Sequence, residues 1–185
     1  LVYKIPFTLS PQKDTFKIGV DTIWLEADFD ATLIDTNGIS NTFSGCDFRI
    51  EMTTEKIDTD PTTGKTVSDF PAFVKIGEMI PKILSNLGLS YYEVKTVFEN
   101  DRYHLKAGLL PKTQGLFSLS IAPIIFEQLD CPLSSNCKKT AYVVYAGMNN
   151  GINNNFEFLQ NSPAYIKDTK KVDFDNGGAY IFYVK

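Results

Sequence analysis

Trp24, Glu26, Asp28 and Asp30 stand at every second position of one short stretch, "WLEADFD". In an extended chain, alternate residues share a face, so an indole and three carboxylates would project side by side. An exposed tryptophan stacks on the apolar face of a sugar ring, and neighbouring carboxylates accept hydrogen bonds from its hydroxyls. The same hard oxygens could hold calcium. The plainer alternative is a solvated strand face whose carboxylates meet lysines, or Arg49, on the neighbouring strand. Trp24, Glu26, Asp28, Asp30 and Arg49 are therefore the candidate ligand-binding set, with carbohydrate as the first ligand.

Other groups carry weaker chemistry. Glu51 with Glu55, or Glu26 with Asp28, could serve glycoside hydrolysis, but that reaction needs two carboxyls ~5 to 9.5 Å apart across a cleft. His104 is the one histidine, and it lies on the polar phase of its segment with no Gly-x-Ser-x-Gly or Cys/His context. It reads as a surface residue. "NNGINNN" precedes no strand-loop-helix unit of the order that nucleotide binding requires. No catalytic residue, metal site or cofactor is expected.

Three cysteines occur, Cys46, Cys131 and Cys137. Zinc would need all three together with His104 from distant segments, without the paired spacing that metal sites use. "CPLSSNC" separates its two sulfurs too widely for a Cys-x-x-Cys redox pair. The expectation is a Cys131–Cys137 disulfide across a hairpin tip, with Cys46 left as a buried, small apolar residue. Closing so short a loop stabilises by only ~2.4 kcal/mol, so the bridge would tie down the loop rather than hold up the fold. Its value is as an address, because reducing cytosol would not keep it.

The elements that must position these groups are read from periodicity. Thr22 to Ile34 alternates Ile23, Leu25, Ala27, Phe29, Ala31 and Leu33 with polar residues, a half-buried antiparallel strand. Asp35-Thr36-Asn37-Gly38 then supplies a hairpin turn, and Asp47 to Ile57, with Phe48, Ile50 and Met52 inward, is expected to pair back on the first strand. Asp69 to Leu87 changes period: Phe73, Ile76, Ile80, Ile83, Leu84 and Leu87 recur at steps of three and four, which predicts a helical insertion near residues 70–87 with a kink at Pro81. Beyond it, "SYYEVKTVF" and "RYHLKAGLL" flank Glu99-Asn100-Asp101 as a hairpin. "LFSLSIAPIIF" and "TAYVVYAG" flank the cysteine loop, the second apolar on both faces around Tyr142 to Ala146 as a central strand would be, and "GGAYIFYVK" is a final strand apolar on both faces. "NFEFLQNS" suits one or two helical turns.

The 185 residues form one domain on these grounds, with 13% aromatic residues leaning toward strands. The expected fold is mainly β, an antiparallel sandwich or open barrel of about eight to ten strands with one helical insertion, the alternative being α+β. A net charge of −4 without a basic stripe argues against nucleic acid. The longest apolar run, Ile121 to Phe126, falls far short of the ~20 residues that span a bilayer. The chain begins at Leu1 rather than methionine, which leads to the expectation of a signal peptide or lipid anchor before it.

The tip "TDPTTGKT", the Asn-Gly turns and the closing "GGAYIFYVK" together resemble the small secreted lipoproteins of Bacteroides-type bacteria. That resemblance implies a periplasmic, outer-membrane or cell-surface location, with the membrane reached only through an N-terminal lipid anchor, near glycan-uptake or adhesion systems. It transfers no site residue. The expected function is an exported, non-enzymatic binding or structural module whose partner is carbohydrate or a surface protein. A carboxylate-based hydrolase and an assembly or adhesion subunit are the alternatives.

Overall fold

The computed structural model describes residues 2–57, 67–68, 72–84, 89–122, 124–126, 141–146, 155 and 179–185. Among these residues there are seventeen strands and no α-helix. The first eight are β1 (Val2–Pro6), β2 (Thr8–Ser10), β3 (Thr15–Phe16), β4 (Ile23–Asp30), β5 (Thr32–Ile34), β6 (Ser40–Thr42), β7 (Arg49–Lys56) and β8 (Val67–Ser68). Then come β9 (Phe73–Ile76), β10 (Met79–Leu84), β11 (Leu89–Lys95), β12 (Val97–Glu99) and β13 (Arg102–Pro111). The last four are β14 (Gly115–Ala122), β15 (Ile124–Phe126), β16 (Ala141–Ala146) and β17 (Ala179–Val184).

Two sheets carry the fold. One runs β12-β13-β4-β2 with β9 also on β13; the other runs β10-β11-β7-β14-β17-β3 with β8 on β7. Their pairings are antiparallel except for β17 with β3, and a third sheet, β1-β16-β15, adds a second parallel pair between β1 and β16. The arrangement is sandwich-like because each strand buries alternate residues. Ile23, Leu25, Ala27 and Phe29 of β4 are buried, as are Tyr103, Leu105, Ala107 and Leu109 of β13, and they meet Ile50, Met52, Phe117, Leu119 and Phe182 of the other sheet in one core. Rings cross the interface edge to face: Phe29 on Phe48 at 5.5 Å, Phe48 on Tyr103 at 4.7 Å and Phe73 on Phe117 at 5.1 Å.

Several sequence expectations hold at the level of single elements. The Asn100 and Asp101 backbones both take positive φ, 53° and 58°, the geometry of a two-residue hairpin turn, and Glu99 pairs with Arg102 across it. β16 lies in the centre of its sheet and β17 in the interior of its own, as their two-sided apolar character requires.

The helical insertion near 70–87 is corrected. Phe73–Ile76 and Met79–Leu84 are strands, paired with β13 and β11 respectively. The three- and four-residue spacing arises from two strands of β-branched residues separated by a turn at Gly77, whose φ of +88° no helix accommodates. Pro81 then needs no kink, since β10 is an edge strand with a side that requires no N–H. The α+β alternative loses its helix with this correction, and the strands are shorter and more numerous than the expected set.

The partner assigned to the first strand is corrected as well. The Asn37-Gly38 turn closes the small β5–β6 hairpin, with Ile34 opposite Ser40, and β7 crosses to the second sheet, where it pairs with β11 and β14. The ladder of β4 ends where the Ala31 N–H turns to the Asp101 carbonyl at 2.9 Å. Thr96 splits "SYYEVKTVF" in the same way: its N–H and hydroxyl both bond the Phe48 carbonyl at 3.1 Å, sending β11 to one sheet and β12 to the other.

Cys46 is buried at 4% exposure and is disulfide-bonded, not the free thiol expected. Cys131 and Cys137, the expected pair, lie outside the described residues, as does the expected helical turn of "NFEFLQNS" apart from Asn155.

Candidate functional site

β4 and β13 run antiparallel in a register that sets Asp30 opposite Arg102, Asp28 opposite His104, Glu26 opposite Lys106 and Trp24 opposite Gly108. All eight lie on the outer phase, because the residues between them are committed to the core. Each acid thus faces a nitrogen base. Arg102 donates from Nε to Asp28 Oδ1 at 2.9 Å and reaches Asp30 through its terminal nitrogen. His104 Nδ1 stands 3.2 Å from Asp28 Oδ2, and Lys106 Nζ lies 2.7 Å from Glu26 Oε1. The hydrogen bond from Arg102 holds the Asp28 carboxyl below the ordinary carboxylate range, and Arg102 is itself held further up by Asp28.

Trp24 closes the row. A β-carbon on Gly108 would come within 3.0 Å of the Trp24 Cε3 and Cζ3 atoms and 2.9 Å of Thr22 Cγ2, so the indole lies directly on the glycine backbone. Lys106 Nζ sits 5.2 Å from the Trp24 ring centroid while bonding Glu26, one cation serving both neighbours. Between the Glu26 and Asp28 rungs, where Ala27 and Leu105 turn inward, a cleft of ≈ 610 Å³ crosses the sheet from Thr8 to Val97. Its walls present carboxylates, an imidazole and an ammonium, and its floor is strand backbone.

Beneath this face the core is tied down. Tyr103, fully buried, accepts a hydrogen bond from the Cys46 N–H at 2.6 Å and donates to the Phe43 carbonyl. Phe29 stacks on it at 5.1 Å. The outward rungs therefore stand on a floor that cannot shift independently.

Four of the five expected ligand-binding residues, Trp24, Glu26, Asp28 and Asp30, share this face. Arg49 does not. It opens β7 in the other sheet, where it bonds Asp47 Oδ2 from Nε at 2.8 Å and meets Glu93 Oε1 at 3.4 Å. Its place is taken by Arg102, with His104 and Lys106 beside it. The signal was legible as three bases at alternate positions of "RYHLK", mirroring three acids at alternate positions of "EADFD"; pairing β4 with the wrong strand hid it.

A second polar surface lies on the outer phase of β7 and β11. Glu51 is directly opposite Glu93, which is only 7% exposed. Burial, and then the charge of Glu93, pushes the Glu51 carboxyl up; burial alone does so for Glu55. Tyr91, two residues from Glu93, is raised by burial and then by both glutamates. Part of this phase is covered: Ile181 is buried on it, and the buried Asn155 donates its amide to the Ile181 carbonyl at 2.9 Å. Among the described residues, no group of three or more His, Cys, Asp or Glu side chains is placed to hold a metal ion. No protein-family model, curated protein or solved structure matches the chain.

Proposed function

We propose that the protein is an exported, non-enzymatic binding module that takes carbohydrate on the outer face of β4 and β13. The observation that carries this reading is the ≈ 610 Å³ cleft lined by Glu26, Asp28, His104 and Lys106, with Trp24 one rung along the same face against Gly108. Sugar hydroxyls both donate and accept, so a wall of alternating acceptors and donors suits them, and an aromatic platform suits the ring. Asp28 supports binding over hydrolysis: its carboxyl is held down, the wrong direction for a general acid, which must carry its proton at working pH. The disulfide at Cys46 supports a compartment outside the cytoplasm, consistent with a secreted, lipid-anchored protein.

A glycan array with a Trp24→Ala control tests the reading. The expected result is binding to at least one glycan that falls about tenfold or more in the variant, since stacking of an indole contributes on the order of 1–3 kcal/mol by analogy with other planar ligands. No binding to any glycan sinks the proposal.

One observation favours a second reading, the carboxylate hydrolase. Glu51 stands directly opposite Glu93 on the neighbouring strand, and burial followed by the charge of Glu93 raises it, the direction a general acid needs. Glycan turnover abolished by Glu51→Gln would establish it, and wild-type protein inert toward every glycan it binds would remove it.

A further inference from the structure

Beyond Asp30 the outer phase of β4 does not stop. Burial alternates without a slip from Ile23 through Ala31 and Leu33 to Asp35, even though the pairing partner changes at Ala31. Thr32 and Ile34 of β5 therefore continue the row begun by Trp24, Glu26, Asp28 and Asp30. Trp24 to Ile34 spans ten residue steps, so at ~3.3 Å each the row reaches at most roughly 33 Å, shortened by the bend at Ala31 and still well beyond a single sugar ring.

A second cleft, of ≈ 640 Å³, opens along this continuation. It is lined by the hydroxyls of Thr32, Ser40, Thr42 and Ser44, by Ile34 and by Asp101, and Asp30 forms its border with the first face. The Thr32 and Thr42 hydroxyls lie 3.1 Å apart, either one free to donate, so the other presents its hydrogen outward. Ile34 is 63% exposed, an apolar surface standing among hydroxyls. Asp101, exposed at the hairpin turn, has no hydrogen-bond or ion-pair partner for its carboxylate among the described residues. Arg102 links the two clefts, since it grips Asp28 beside the first and Asp30 at the border of the second.

We propose that this cleft is a second subsite of the same binding face, and that the ligand is an extended neutral oligosaccharide lying along β4 and β5 rather than a single sugar. The chemistry is complementary. Hydroxyl side chains and one unpaired carboxylate match the hydroxyl rim of a pyranose, and Ile34 matches its C–H face. The inference rests on the carbohydrate reading of the first cleft and adds the polymeric character of the ligand.

The test titrates di- and hexasaccharides of the β-glucan, α-mannan and xylan series into the wild type, Trp24→Ala, and the double variant Ile34→Ser with Asp101→Asn. Both doubly substituted positions are exposed, and Asn accepts the positive φ of residue 101. In one series the hexasaccharide is expected to bind about tenfold tighter than the disaccharide, and the double variant is expected to erase that advantage while leaving the disaccharide unchanged. Equal affinities for the two lengths, or equal loss for both in the double variant, overturn the second subsite while leaving the first. If no saccharide binds, or binding survives Trp24→Ala, the carbohydrate reading fails and this inference fails with it.

Discussion

The two polar faces of the protein use the same alternation to opposite electrostatic ends. On β4 and β13 every acid stands opposite a base, and Asp28 is held below its ordinary range. On β7 and β11 Glu51 stands opposite Glu93, and Glu51 and Glu55 are both pushed up. Composition and register act together: the outer phase of β4 carries acids and that of β13 carries bases, whereas β7 and β11 each carry glutamate and their register sets Glu51 against Glu93. A ladder of opposed charges in water is close to neutral, and an acid that gains a hydrogen bond from a base, as Asp28 does, is held in its charged form. A like pair under partial cover is instead relieved by taking up a proton. The first face holds its acids charged against bases, and the second holds a like pair whose member Glu51 is raised.

The largest break in this comparison is expected from Gly108→Val. A side chain there meets Trp24 and Thr22 at or inside 3.0 Å, so the indole must lift from the ladder. A loss of about 3 kcal/mol in urea unfolding is expected, with ligand binding lost in parallel. Near-wild-type stability would mean that the tryptophan has another resting place. Arg49→Ala acts on the second face. It withdraws the base paired with the buried Glu93, and a loss of about 1.5 kcal/mol at neutral pH is expected, discounted because the guanidinium is half exposed. The Glu51 carboxyl should titrate higher still in that variant.

Glu55→Gln is expected to do the reverse, stabilising by about 1 kcal/mol at pH 7. The folded protein raises this carboxyl above its ordinary value of 4.5, so it binds the proton more tightly than the unfolded chain does. The stability associated with the protonated form is present below about pH 4.5 and lost as pH rises through the folded value. Replacing the acid with an amide removes that loss. The gain should therefore shrink as unfolding is measured at progressively lower pH, and a gain independent of pH would assign the effect to packing.

How far the sequence could be read depends on whether a property is local. The alternation of Ile23 to Leu33, the two-residue turn at Asn100-Asp101, and the two-sided strands β16 and β17 are written in adjacent residues and were legible. Partnership between strands is not local. Asn37-Gly38 marks a hairpin but not its length, and the three-residue arm β6 satisfied it where the whole of β7 was expected. That one error moved Arg49 onto the wrong face and left Arg102 out of the site. The predicted helix failed for a related reason: two strands joined by a tight turn at Gly77 place apolar residues at the same spacing as one helical face. Only the positive φ of Gly77 and the edge position of Pro81 separate the cases, and both are properties of the fold.

The smallest effect falls on the ladder itself and bears on which base controls it. Arg102→Met removes the donor to Asp28 and Asp30 while keeping the length of the side chain. These groups are in water, so unfolding should stay within the scatter of surface substitutions. The change should appear in titration. Asp28 is lowered from 3.8 mainly by its hydrogen bond with Arg102 and less by the neighbouring His104, so carbon-13 NMR of its carboxyl should show the midpoint rising in the variant. The linkage follows with a definite sign. A lowered carboxyl contributes stability above pH 3.8 that is lost as pH falls through the folded value, so the variant should lose less of its stability on the acid side. If the Asp28 midpoint stays low without Arg102, His104 is the dominant partner.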